Sequence, residues 1–277
     1  AKSALVIGLC KAVTGMHVWR EGDYSPVDLA WCTWMSKEEY HAALERYAPI
    51  RDDIMKNTVQ EQGRYVIPYT KIITDIPRFH KEMENYEVYN GRKPYQEWKE
   101  IIISRYRKFS ETGYLFECAF FQNIIEDLIL FHLVDDDGIM DFYRVLYEQI
   151  HKEQFLLLYL YSDNLEENIR AIQKERCDNL GNELWYPMML SYLGQSPYGV
   201  EHGCCTFEDM ISHFRHRQRL ELSIIREIIK DNAYILPARE WKMDEIMPML
   251  QPAVISGNTA PDIHMHHPRP FTFIQGD

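Results

Sequence analysis

No CxxC pair, no apolar run of membrane-spanning length, no excess of basic residues and no internal repeat occur in this sequence, and each absence removes a class of protein. Six scattered cysteines (Cys10, Cys32, Cys118, Cys177, Cys204 and Cys205) give neither a disulfide framework nor a zinc ribbon. With no secretory leader visible either, a reducing cytoplasm is the expected setting. A bilayer span needs about 20 consecutive apolar residues, so no membrane partner is expected. The net charge of −12 argues against a protein that grips nucleic-acid backbones, which needs a basic footprint. An acidic chain can still hold a local basic pocket for a small anion.

What is present suits a globular α/β chain: 46% of the 277 residues are hydrophobic, enough to bury roughly 70–75% of the surface exposed on unfolding. The organising stretch is YLFECAFFQN, Tyr114 to Asn123, followed by the periodic apolar segment IIEDLILFHL. It reads as a central parallel strand feeding a helix. In a sheet covered on both faces such a strand is nearly all apolar, so Glu117 at its carboxyl end needs a reason. Ligands of open α/β sheets bind at that edge. Backbone capping, or a structural pairing with an arginine, accounts for it equally well.

The chain opens with AKSALVIGLCKAVTG, apolar at helical spacing and stopped by Gly15, with no capping residue ahead of it. The expectation is that residues of the same fold precede Ala1. MHVWREGD follows, a short strand ending in Arg20, Glu21 and Asp23. Ser36 and Glu39 form a capping box before a helical stretch reaching Asn57, and Pro68 restricts 64–73 to an edge ribbon. Pro94 starts a helix to Phe109. DDDG (Asp135 to Gly138) reads as a solvated turn, since consecutive aspartates do not converge on one ion. QFLLLYLYSD is the strongest strand, and the helix after it ends in basic residues. Region 177–203, rich in glycine and proline, reads as a mobile flap or lid with a helix inside. A long helix over Thr206 to Ile229, a short strand AYILPA and a last helix complete residues 1–250, and 251–277 reads as a tail. His264, His266 and His267, and His202 with Cys204 and Cys205, match no trusted metal spacing.

This order of elements resembles the P-loop nucleoside and nucleotide kinases, thymidylate kinase and deoxynucleoside kinase relatives included, over about residues 1–250. The resemblance implies a three-layer α/β/α sandwich with a largely parallel sheet, its strands at 16–19, 115–118, 155–161 and 233–236. It also implies ATP and Mg2+ as cofactors and phosphoryl transfer to a nucleoside, nucleotide or other small hydroxyl compound. Arg20 and Glu21 take the place of the family's Arg-Glu at the second strand. Glu117 takes that of the acidic residue at the third, although Cys118 stands where the family has arginine. Arg170 and Arg176 correspond to lid arginines that clamp the moving phosphate. On this reading Glu21 is the general base or an acceptor ligand, and Glu117 a magnesium-linked carboxylate. Arg20, Asp23, Gln122 and Asn123 face the substrate, although Asn123 could equally cap a helix.

One departure is large. The family's glycine-rich loop, GxxxxGKS/T, whose amides and lysine hold the phosphates, is found nowhere in the sequence, and the opening AKSAL looks like the helix that would follow its lysine, a turn or so downstream. Its central strand is missing too, and a gap in the sheet is expected. ATP binding by this chain should therefore be weak or absent. A non-catalytic binding or regulatory protein on the same scaffold is the competing class, and a homodimer is left open.

Overall fold

The structure is a computed structural model that describes residues 2–13, 15–152, 155–177, 181–250 and 271–276. It is mixed α/β with helix predominating. The first half runs α1 (Lys2–Ala12), β1 (His17–Trp19), α2 (Lys37–Arg46), α3 (Arg51–Lys56), β2 (Val59–Glu61), β3 (Arg64–Val66), α4 (Phe79–Met83), α5 (Tyr95–Lys108) and β4 (Tyr114–Glu117). The second runs α6 (Gln122–Glu126), α7 (Asp136–Glu148), β5 (Phe155–Tyr161), α8 (Leu165–Glu175), α9 (Trp185–Gln195), α10 (Pro197–His202), α11 (Phe207–Ile224), β6 (Ala233–Pro237), α12 (Met243–Ile246) and β7 (Phe271–Gly276). Among the described residues no helix is long and apolar enough to cross a membrane.

Five strands form one sheet in the order β1-β4-β7-β5-β6, and every neighbouring pair is parallel. The four strands expected from sequence are all in it. Their composition explains them, most clearly at β5, which has no glycine or proline and alternates cleanly between two cores. Leu156, Leu158 and Leu160 pack with Leu5, Val6 and Leu9 of α1 and with Leu236 and Ile246. Phe155, Leu157 and Tyr159 join Trp98, Ile124, Leu146 and Ile224 from helices on the opposite face. A parallel strand buried on both sides must be apolar at every position, and this one is. A third cluster, including Met35, Ile54, Ile67 and Phe79, holds together the helical insert and the β2–β3 hairpin.

The stretch 251–277 is not simply a tail. Residues 271–276 form β7, which sits between β4 and β5 with partners on both sides, Phe116 opposite Phe273 and Leu157 opposite Phe273. The gap expected in the sheet is thus filled. FTFIQG is rich in aromatic and β-branched residues, which favour a pleated surface; the surrounding prolines and histidines mask that signal.

The helix starts follow local chemistry. Ser36 and Thr206 both make reciprocal capping boxes, and Asn164 accepts from the Glu167 amide. Asp135 caps α7 by accepting from the Gly138 amide, so the acidic turn is a helix start. Among the described residues of region 177–203 there are two helices rather than one, separated by Ser196, whose hydroxyl accepts from the Gly199 amide at 3.0 Å. Gly199 is required by packing: a Cβ there would lie 1.9 Å from the Leu193 carbonyl oxygen.

Candidate functional site

Period-two alternation along β4 decides which way its carboxylate points. Leu115 is fully buried in the core shared with α1, so Glu117, two residues on, faces the same side. There the Ser3 hydroxyl, in the first turn of α1, donates to Glu117 Oε1 at 2.7 Å. Beside it the Lys2 ammonium donates to the Gln122 side-chain oxygen. Among the described residues Lys2 has no carboxylate partner, so a neutral amide holds its charge.

Gln122 carries the contact onward. Its Nε2 donates to Glu21 Oε1 at 3.1 Å, and the Trp31 indole nitrogen donates to the same oxygen at 3.2 Å. The chain reaches this arrangement through Cys118, whose φ of 68° turns the backbone out of β4 toward α6. Burial pushes the Cys118 thiol up to about 12 despite the nearby Lys2 ammonium, so this cysteine is no ready nucleophile.

Behind the edge lies Asp28, which the sequence did not single out. It is buried, accepting from the Tyr89 hydroxyl at 2.7 Å and from Asn123 Nδ2 at 3.0 Å. Burial raises its carboxyl to about 6, against those two hydrogen bonds. Asn123 is therefore engaged with Asp28 and does not cap α6. Asp23 closes its own turn by accepting from the Arg20 amide at 2.8 Å, and it pairs with Lys71 at 2.6 Å. Arg20 itself is exposed.

The two lid arginines lie elsewhere. Arg170 is bonded to Glu166 at 3.0 Å and lies 4.2 Å over the Phe207 ring, while Arg176, at the end of α8, lies 5.8 Å from the centre of the Trp185 ring. Both stacks are cation–π contacts. Among the described residues neither arginine touches Ser3, Glu117 or Glu21.

A second polar cluster is fully enclosed. Glu126 accepts from His213 Nε2 at 2.7 Å and from Arg217 at 2.5 Å, Arg217 also reaches Glu221 at 3.2 Å, and Glu221 accepts from the Tyr159 hydroxyl at 2.7 Å. Burial alone would raise the Glu126 carboxyl; His213 and Arg217 instead hold it at about 2. This network ties α6 to α11 and β5.

The structure thus brings Glu21, Glu117 and Gln122 together and adds Lys2 and Ser3. From sequence, AKSAL reads as helix downstream of a missing lysine, so neither residue stands out; only their contacts with Gln122 and Glu117 bring them to the site. Among the described residues no group of three or more His, Cys, Asp or Glu could hold a metal, and the 264–267 histidines lie outside them. Comparison with protein-family models, curated proteins and solved structures found no match for this chain.

Proposed function

We propose that the chain is a P-loop kinase-like protein with a three-layer α/β/α fold, which binds ATP with Mg2+ at the carboxyl edge of the sheet and transfers a phosphoryl group to a nucleoside, nucleotide or other small hydroxyl compound. The observation that carries this reading is the Ser3–Glu117 hydrogen bond at 2.7 Å, with Lys2 beside it, in the first turn of a helix at the end of parallel strands. The sheet order supports it. In P-loop kinases the strand that feeds the phosphate loop lies between the strand ending in the acidic residue and the strand leading to the lid helix. Here β7 lies between β4, which ends in Glu117, and β5, which leads to α8.

The donors suit the cofactors. Magnesium takes hard oxygen ligands and keeps several waters, so one hydroxyl and one carboxylate are sufficient protein donors. Bound Mg2+ would neutralise charge on the triphosphate. Lys2, held by an amide, can move to phosphate without breaking an ion pair, and the free amides of the first turn of α1 favour an anion. Both hydrogen bonds to Glu21 end on Oε1, which fixes the carboxylate and leaves Oε2 to take a proton from the acceptor hydroxyl. Such transfer needs mainly positioning and neutralisation.

A second reading, a non-catalytic binding protein on this scaffold, is favoured by the placement of Arg170 and Arg176 against Phe207 and Trp185, away from the site. One experiment separates them: titrate the protein with Mg2+-ATP by calorimetry, then assay phosphoryl transfer to a panel of nucleosides. Binding that Lys2→Ala abolishes, with turnover, supports the enzyme; the same binding without turnover supports the second reading. No Mg2+-dependent binding at millimolar ATP contradicts the enzyme and leaves only a binding or regulatory protein that no longer handles ATP.

A further inference from the structure

Helix α1 ends at Ala12 and strand β7 begins at Phe271, yet the two lie against each other. The register fixes how they meet. Ile274 is paired with Glu117 on one side and with Leu158 on the other, and Gly276 is paired with Leu160. Strand β7 therefore passes the level of Glu117 and runs two residues further toward the carboxyl edge. Ser3, bonded to Glu117, sits at that same level. The end of β7 and the start of α1 thus converge on one place from distant parts of the sequence.

We infer that the phosphate-binding loop is composite: β7 supplies its feeding strand and leading glycine, Gly276, while α1 supplies its lysine and serine, Lys2 and Ser3. This deepens the kinase-like reading and rests on it. The ligand is the polyphosphate of a nucleoside triphosphate. The sequence spacing agrees with the geometry. Joining Gly276-Asp277 to Ala1-Lys2-Ser3 through roughly three residues gives GxxxxAKS, which differs from the phosphate-loop pattern only by alanine at the second glycine. A glycine at the leading position lets the chain turn sharply from strand to phosphate, as it does in other glycine-rich phosphate loops. A covalent join between the end of β7 and the start of α1 preorganises the loop and removes part of the ordering cost of binding.

The test compares the full chain with a rearranged chain of the same residues, opened between Leu250 and Gln251 and joined from Asp277 to Ala1 by about three glycine or serine residues. Each is also made with Gly276→Val and with Lys2→Ala, and all are titrated with Mg2+-ATP and melted. The expected result is that the rearranged chain melts cooperatively at or above the parent temperature and binds roughly tenfold more tightly, the gain given by preorganisation. In both chains Gly276→Val should weaken binding about as much, with melting little changed. The inference is overturned if joining and Gly276→Val leave affinity unchanged while Lys2→Ala abolishes it; the site then works from α1 alone and the kinase-like reading stands. It is also overturned if the rearranged chain does not fold, because a strand end beside α1 tolerates the join. Absence of binding in every chain sinks the kinase-like reading and this inference together.

Discussion

Helix α6 has a foot in each of two polar clusters: Gln122, its first residue, bridges Lys2 and Glu21, and Glu126, its last, is gripped by His213 and Arg217. The inner cluster is closed off from solvent, with Glu126, His213, Arg217 and Glu221 all under one tenth exposed. The outer cluster is open, with Ser3 and Glu21 exposed and a lysine resting on an amide. The inner carboxylates, Glu126 and Glu221, are both held by Arg217 inside the fold, out of a ligand's reach. The outer charges are held by bonds that a phosphate or a metal ion can replace at little cost. The first arrangement builds the scaffold, and under the proposed function the second serves a site.

Removing one partner should have unequal consequences in the two places, and the largest falls on the inner cluster. Arg217→Met leaves the Glu126 and Glu221 carboxylates buried without their cation and should cost on the order of 3–5 kcal/mol of stability, read by urea denaturation. It should also change the acid limb. Glu126 titrates near 2 in the folded chain against an ordinary 4.5, so its contribution is present above about pH 4.5 and is lost as pH falls toward 2. In Arg217→Met that fall should be shallower.

Asp28, behind the outer cluster, should act with the opposite sign. Burial raises its carboxyl from 3.8 to about 6, so its contribution is fully present below pH 3.8 and is lost as pH rises through about 6. Glu87, buried beneath the Tyr69 and Asn90 side chains, is raised to about 7 and adds to the same slope. Stability measured from pH 4 to 7 in Asp28→Asn should decline less than in the parent, by on the order of 1–3 kcal/mol across the range. An unchanged slope would show that Asp28 is ionised at little cost.

The smallest change in stability is expected at Glu21. Glu21→Gln keeps an oxygen to accept from Trp31 and Gln122 and should shift the melting temperature only slightly. If the carboxylate takes the acceptor proton, turnover should fall by about a hundred- to ten-thousand-fold. A variant with normal turnover would leave Glu21 a strut for Trp31.

The sheet was legible where burial imposes a rule on composition: the β5 run FLLLYLY can be little else, and YLFE announces its own end with a charge. Strand β7 has the same strand-forming residues, but they lie beyond a long stretch without periodicity, and its place between β4 and β5 is fixed only by long-range pairing. The site followed the same division. Glu21, Glu117 and Gln122 stand beside strand ends and could be named from them. Lys2 and Ser3 acquire meaning only from contacts with Gln122 and Glu117, more than a hundred positions away. Arg170 and Arg176 were matched to lid arginines only through the resemblance, and no spacing rule showed that the rings of Phe207 and Trp185 would take them.

The most direct test of the contrast between an open outer cluster and a closed inner one is the melting temperature with and without millimolar Mg2+-ATP, for the parent chain and for Lys2→Ala. A ligand that binds only the folded state raises that temperature according to its concentration and affinity. The account predicts a rise for the parent and, for Lys2→Ala, the parent's unliganded melting temperature with no rise. A Lys2→Ala chain that melts well below the parent and still gains the full shift would contradict it, because the lysine would then be holding the fold and the phosphate would be binding elsewhere.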